Sequence, residues 1–143
     1  MTEQTINQVN KQIEKTVLGP VRSYATLLTD HAETLAGIQF DAAKAYTDLA
    51  LKQVRAAADI RDAEGVQSYV AGQSDAAKQF ADRVKQDVEK LVSANQSFVQ
   101  NAQKLTQDSV TTAQKAAEEG VQTVQKTAEE GVQTARKAAA GAK

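Results

Sequence analysis

Residues 20–62 read PVRSYATLLTDHAETLAGIQFDAAKAYTDLALKQVRAAADIRD, and the spacing of the apolar side chains in this stretch decides the fold. Val21, Leu28, Leu35, Ala42, Leu49 and Ala56 recur at every seventh residue, and Tyr24, His31, Ile38, Ala45 and Lys52 form a second column with the same period. Two such columns lie side by side on an α-helix, the pattern of a helix that packs along another helix or a surface. Leu27, Phe40, Tyr46, Leu51 and Val54 lie off these columns, and Leu27 and Tyr46 widen the apolar face locally. Pro20 suits the first helical turn, where its missing N–H is not needed and its fixed φ is already helical. A helix from Pro20 to about Asp62 would be roughly 60 Å long at 1.5 Å per residue.

Working outward, Asp62-Ala-Glu-Gly65 is the expected reversal, with Asp62 able to cap a new helix by accepting backbone N–H groups. Gly65 and Gly72 lower helix propensity around Val66, Tyr69 and Val70, so a short helix or bent connection is expected there. A second long helix is predicted from about Ser74. One of its columns is Ala77, Val84, Leu91, Phe98 and Leu105; the other is Ala81, Val88, Asn95 and Ala102. Asn95 in that seam either fixes register, as a buried amide can, or faces a partly wet seam. On the other side of Pro20, Ile6, Val9, Ile13 and Val17 give a separate, looser amphipathic segment.

After Val110 the period changes to eleven: VTTAQKAAEEG, VQTVQKTAEEG and VQTARKAAAG begin at Val110, Val121 and Val132. Eleven residues make three turns, so the stripe Val110, Ala113, Ala117, Val121, Val124, Ala128, Val132, Ala135 and Ala139 drifts little. It is narrow and mostly alanine, and Gly120 and Gly131 each cost about 1 kcal/mol of propensity. The segments expected are therefore 1–19, a loose N-terminal amphipathic stretch; 20–109, a helical domain; and 110–143, a marginally helical repeat tail that orders on a partner.

Composition narrows the function. Of 143 residues none is cysteine, which removes disulfides, thiolate nucleophiles and sulfur metal sites. The 17 basic and 18 acidic residues are interspersed, which argues against a nucleic-acid binder, since that needs a basic face to displace counterions. No stretch approaches the roughly 20 apolar residues of a membrane span. Residues 1–10 are polar and lack an apolar signal core, so a cytoplasmic protein is expected.

Nothing in the chain assembles a reaction centre. His31 is the only histidine and falls in the seam, where it reads as a half-buried packing residue rather than a general base. One histidine per chain is also too few nitrogen ligands for an ordinary zinc site. The pairs Glu118-Glu119 and Glu129-Glu130 follow the repeat and read as a solvated face. No phosphate loop or nucleophile elbow is present. The expectation is a protein that is not an enzyme, with no cofactor and no metal.

The fold class expected is all-α: long amphipathic helices in a helical hairpin that forms a coiled-coil-like oligomer, with a C-terminal helical tail of eleven-residue repeats. A two-helix hairpin packs along one line and makes no thick core. Its thinly spread large apolar residues need a partner, because each contributes about 1.5–3 kcal/mol only when fully buried. Stability is expected from homo-oligomerisation or from adsorption onto an apolar surface.

The run Leu18-Gly-Pro-Val-Arg-Ser-Tyr24, then Leu27-Leu28, Leu35, Gln39-Phe-Asp-Ala-Ala-Lys-Ala-Tyr46 and Leu49, resembles the phasins. So does the continuation through Ala56, Asp59, Ile60, Asp62 and the stretch from Ser74 to Leu91; the resemblance reaches Phe98 and leaves out the tail. It implies a coat on polyhydroxyalkanoate storage granules in the cytoplasm that prevents coalescence and controls granule size and number. It implies no catalytic residues. What carries over is the apolar stripe Leu27, Leu28, Leu35, Ile38, Phe40, Tyr46 and Leu49. Val84, Val88, Leu91 and Phe98 join it on the second helix as granule-surface or oligomer-interface residues. Two other readings remain open. The repeat also resembles those of late-embryogenesis-abundant proteins and apolipoproteins, which suggests a desiccation-protection or lipid-surface protein. A coiled-coil scaffold that binds only proteins is the other. Circular dichroism separates them: fragment 1–109 should be strongly helical in buffer and fragment 110–143 weakly so, whereas a largely disordered fragment 1–109 would favour the desiccation-protection class.

Overall fold

The computed structural model describes residues 3–141, so Met1, Thr2, Ala142 and Lys143, at the outer edges of the first and last expected segments, lie outside the described residues. Every regular element among the described residues is helical: α1 (Glu3–Ile13), a π-helical turn (Glu14–Leu18), α2 (Gly19–Ala58) and α3 (Ala63–Ala140). The fold is all-α, with two long helices of 40 and 78 residues. It divides into two units, one of Met1–Ala25 with Ala102–Lys143 and the other of Thr26–Asn101.

The Thr26–Asn101 unit is an antiparallel helix pair. Its cross-helix contacts run in opposite senses: His31 stacks on Phe98, Lys90 approaches Asp41 at 4.0 Å, Tyr46 meets Phe80, and Gln73 Nε2 donates to Gln53 Oε1 at 3.0 Å. The reversal occupies Asp59–Asp62, and Asp62 caps α3 by accepting the Gly65 N–H on Oδ1 at 2.8 Å. Gly65 leaves room for this cap. A Cβ on it would stand 3.3 Å from Asp62 Oδ1 and 3.5 Å from Ile60 Cα, inside the capping turn. The expected short helix or bent connection before Ser74 does not form, and α3 starts at Ala63. The cap, and the half-buried Tyr69 and Ala76 packed in the pair, outweigh the propensity cost of Gly65 and Gly72.

In the other unit, the Gly19-Pro20 dipeptide widens the helix instead of breaking it. Pro20 has no N–H to return to the preceding turn, and the ladder shifts so that the Gly19 N–H reaches Glu14 O, five residues back. A Cβ on Gly19 would stand 3.2 Å from that oxygen, which explains a glycine at this point. α1 lies against the C-terminal part of α3, with Gln12 Nε2 donating to Ala116 O at 3.1 Å. The α3 side chains half-buried here are small or slender: Leu105, Ser109, Thr112 and Ala116, followed by Gly120. α3 runs on through Gly131 to Ala140.

No hydrophobic residue among the described residues is buried. A helix pair touches along one line, and each side chain on that line keeps part of its surface open. Local features therefore carry visible weight in stability. Asp62→Ala should cost about 1 kcal/mol through loss of the cap, read as a fall in melting temperature of roughly 2–4 °C.

Candidate functional site: the two faces of the helix pair

The expected stripe divides into two faces. Leu27, Leu35, Ile38, Tyr46 and Leu49 of α2 and Phe98 of α3 are half-buried in the seam of the Thr26–Asn101 unit. Leu28 and Phe40 of α2 are exposed, at 53% and 76%. Val84, Val88 and Leu91, expected in the seam of the second helix, are exposed as well, together with Val92 and Val99. Asn95 is exposed and lies outside the seam of the pair.

The seam of α3 is occupied by a different set of side chains: Tyr69, Ala76, Arg83, Asp87, Ala94 and Phe98. At about 100° per residue this row is rotated by roughly a quarter-turn from the row Val84, Val88, Asn95 and Val99. α3 therefore carries two rows of heptad spacing. The row that packs is the one holding the aromatics and a charged pair.

Asp87 is the one buried residue described, at 7% exposure. Arg83, one turn earlier, grips it twice, Nε to Oδ2 at 3.0 Å and Nη2 to Oδ1 at 2.8 Å. The Arg83 hydrogen bond is the main reason the Asp87 carboxyl is held below the ordinary carboxylate range. Burial opposes it, and Tyr46, the Arg83 charge and Lys90 add to it. The Tyr46 hydroxyl, across the seam, is pushed up first by burial and then by its hydrogen bond to Asp87. Arg83 is held more firmly protonated, chiefly by its hydrogen bond to Asp87. The three form a polar knot in which the two opposite charges are paired, as charges inside a helix pair require, with one hydrogen bond from Nε, while Nη2 and Oδ1 meet as an ion pair and make no hydrogen bond. The signal for it was present in sequence as an Arg and an Asp four residues apart, the distance of one helical turn.

His31 lies half-buried in the seam as expected, its ring 4.4 Å from that of Phe98 and inclined by 26°. An open groove beside it is lined by Leu27, Ile38, Ala94 and Phe98, with Asp30 and Lys90 at its edge. Among the described residues no three His, Asp or Glu side chains gather closely enough to hold a metal ion. No helix is long and apolar enough to cross a membrane, again among the described residues.

The geometry thus defines an all-helical protein whose distinctive surface is apolar helix faces left open. Comparison with protein-family models matches residues 7–91 to the family described as phasin protein. That is more than half of the chain, and the protein belongs to the phasin family. Phasins are structural, granule-associated proteins and not enzymes. The match runs from within α1 through α2 and the first third of α3; Phe98 and the eleven-residue repeats lie beyond it. Searches of curated proteins and of solved structures each found no match.

The polar knot has a pH signature. A carboxyl whose folded pKa lies below its unfolded value, about 3.9, contributes stability that is fully present above that value. The contribution is lost as pH falls through the lower folded pKa. Asp87→Asn should therefore lower the melting temperature near neutral pH. It should also make the further fall between about pH 5 and about pH 2 smaller than in the wild type. Equal acid sensitivity in the two proteins would mean that Asp87 is not paired.

Proposed function

We propose that this phasin is a non-enzymatic coat on the surface of polyhydroxyalkanoate granules in the cytoplasm, preventing their coalescence and controlling their size and number. The observation that carries the reading is the phasin match over residues 7–91, together with the lack of any buried large apolar side chain among the described residues. Residues 20–109 form the helical body of the coat, 1–19 a looser amphipathic segment and 110–143 a marginally helical tail. Away from granules, a homo-oligomer with coiled-coil-like contacts covers the same residues. The half-buried set, Leu27, Leu35, Ile38, Tyr46, Leu49 and Phe98, holds the helix pair. The open set, Leu28, Phe40, Val84, Val88 and Leu91, meets the polymer or a second copy.

Purified protein should be depleted from solution by polyhydroxybutyrate particles at low and at physiological salt, because apolar burial is not screened as charge pairing is. The triple variant Leu28→Ser, Val88→Ser, Leu91→Ser should adsorb at least about tenfold more weakly with helicity unchanged. The variant Leu35→Ser, Ile38→Ser, Leu49→Ser should lose thermal stability first. Unchanged adsorption of the first variant would place the contact on another face, and failure of the wild type to adsorb at either salt would overturn the coat.

A further inference from the structure

The eleven-residue repeats lie outside the family match, yet their side chains are sorted more strictly than those of the helix pair. Counting Val110, Val121 and Val132 as position one, the stripe takes positions one, four and eight. The charges take positions six, nine and ten, as in Lys115, Glu118 and Glu119. At 11 residues per three turns those charged positions span about a third of the circumference. The other two-thirds, centred on the stripe, is neutral from Val110 to Ala140, with Arg136 at position five the single exception. Val110, Val121, Val124 and Val132 are all exposed.

The borders of the stripe are neutral too, and the two sides differ. On one side stand threonines whose hydroxyls are already satisfied: Thr123 donates to Glu119 O at 2.8 Å, Thr127 to Thr123 O at 2.9 Å and Thr134 to Glu130 O at 2.8 Å. A threonine bonded back to its own helix brings a methyl group to a surface without a free donor. On the other side stand Gln114 and Gln125, whose amides are uncharged donors.

This sorting selects among occupants. An anionic membrane favours Lys and Arg at the edges of the apolar stripe, but Lys115 and Lys126 lie on the far side among glutamates. A second helix takes a narrow seam with bulky residues and bordering charges that set the pairing. Here α1 already lies along one border of the stripe at Thr112, Ala116 and Gly120, and what stays open beside it is the mostly alanine stripe itself, with Val110, Val121, Val124 and Val132 exposed and Gln114 and Gln125 on the other border. A deformable neutral surface can take up such a face. Acceptor carbonyls on that surface match the glutamine amides. We infer that residues 110–140 form a second adsorption face for a neutral, ester-rich apolar surface, the granule polyester; this rests on the coat reading above.

The test uses the full chain and three probes: polyhydroxybutyrate particles, phosphatidylglycerol vesicles and the mass of the assembly in solution. The variant Val121→Glu, Val124→Glu, Val132→Glu should adsorb to the particles at least about tenfold more weakly than wild type, since a charge carried into an apolar phase is costly. Its assembly mass should be unchanged. The variant Glu118→Lys, Glu129→Lys, altered only on the charged side, should adsorb like wild type. If the valine variant adsorbs as well as wild type, the tail face is wrong and the coat reading stands. If the wild type ignores the particles, the coat reading itself falls and this inference with it. Equal or tighter binding of the wild type to the anionic vesicles would overturn the neutral-ester assignment. A changed assembly mass with adsorption retained would show a self-association seam instead.

Discussion

The structure depends on how little two helices can bury against each other. Along the seam of α2 and α3, Leu35, Ile38, Leu49 and Phe98 are each half-buried and keep part of their surface open. No third layer closes over them within the pair, and a packed domain normally requires a second layer on every apolar face. The consequence runs outward. Leu28, Phe40, Val84, Val88 and Leu91 have nowhere to go within the pair, and they define an apolar exterior on a chain with nearly balanced charge. An exterior of this kind is a liability in a free monomer and an asset in a protein that lives against an apolar surface.

Much of this was legible in sequence, for reasons that can be named. The two columns of α2 were read in the correct phase from Leu35 to Leu49, because only one heptad row there carries large apolar residues. The Asp62 cap was legible because an aspartate ahead of a helix-forming run has one chemical use there. α3 misled because it carries two rows. Counting apolar residues favours Val84, Val88 and Leu91, whereas packing chose the row with Tyr69, Arg83, Asp87 and Phe98. Hydropathy counts an arginine and an aspartate against burial. It does not see that, one turn apart and opposite the Tyr46 hydroxyl, they pair their charges with each other. The long helix opens at Gly19-Pro20, where Pro20 was expected to stand in its first turn, and a π-helical turn joins it to α1. A one-residue slip of the ladder absorbs the missing N–H and lets the helix go on.

The family match and the repeats divide the chain along a different line from the helices. α3 passes from the matched region through Leu91 into the eleven-residue pattern without a break. The helix pair holds its large apolar side chains in mixed company with charges; the repeats have few large side chains but keep the charges apart from them. The first arrangement suits a seam whose partner is a specific helix, where register matters. The second suits a contact without fixed register, because the valines of the stripe stay exposed beside the border that α1 occupies.

The charged knot also decides which face of the pair can meet an apolar phase. Arg83 and Asp87 sit on the inner face of α3, and their ion pair is contained within that helix. Opening the pair to lay the inner face on a polymer would leave both charges against an ester surface and would strip Asp87 of the Tyr46 hydroxyl. Desolvating an ion pair costs more than its attraction returns unless other hydrogen bonds complete it. The outer face carries no such penalty along Val84, Val88, Leu91 and Val92, and it is open before any contact is made. For a phasin coat this favours adsorption of the intact helix pair, with the seam kept shut by the same residues that would make its exposure unfavourable.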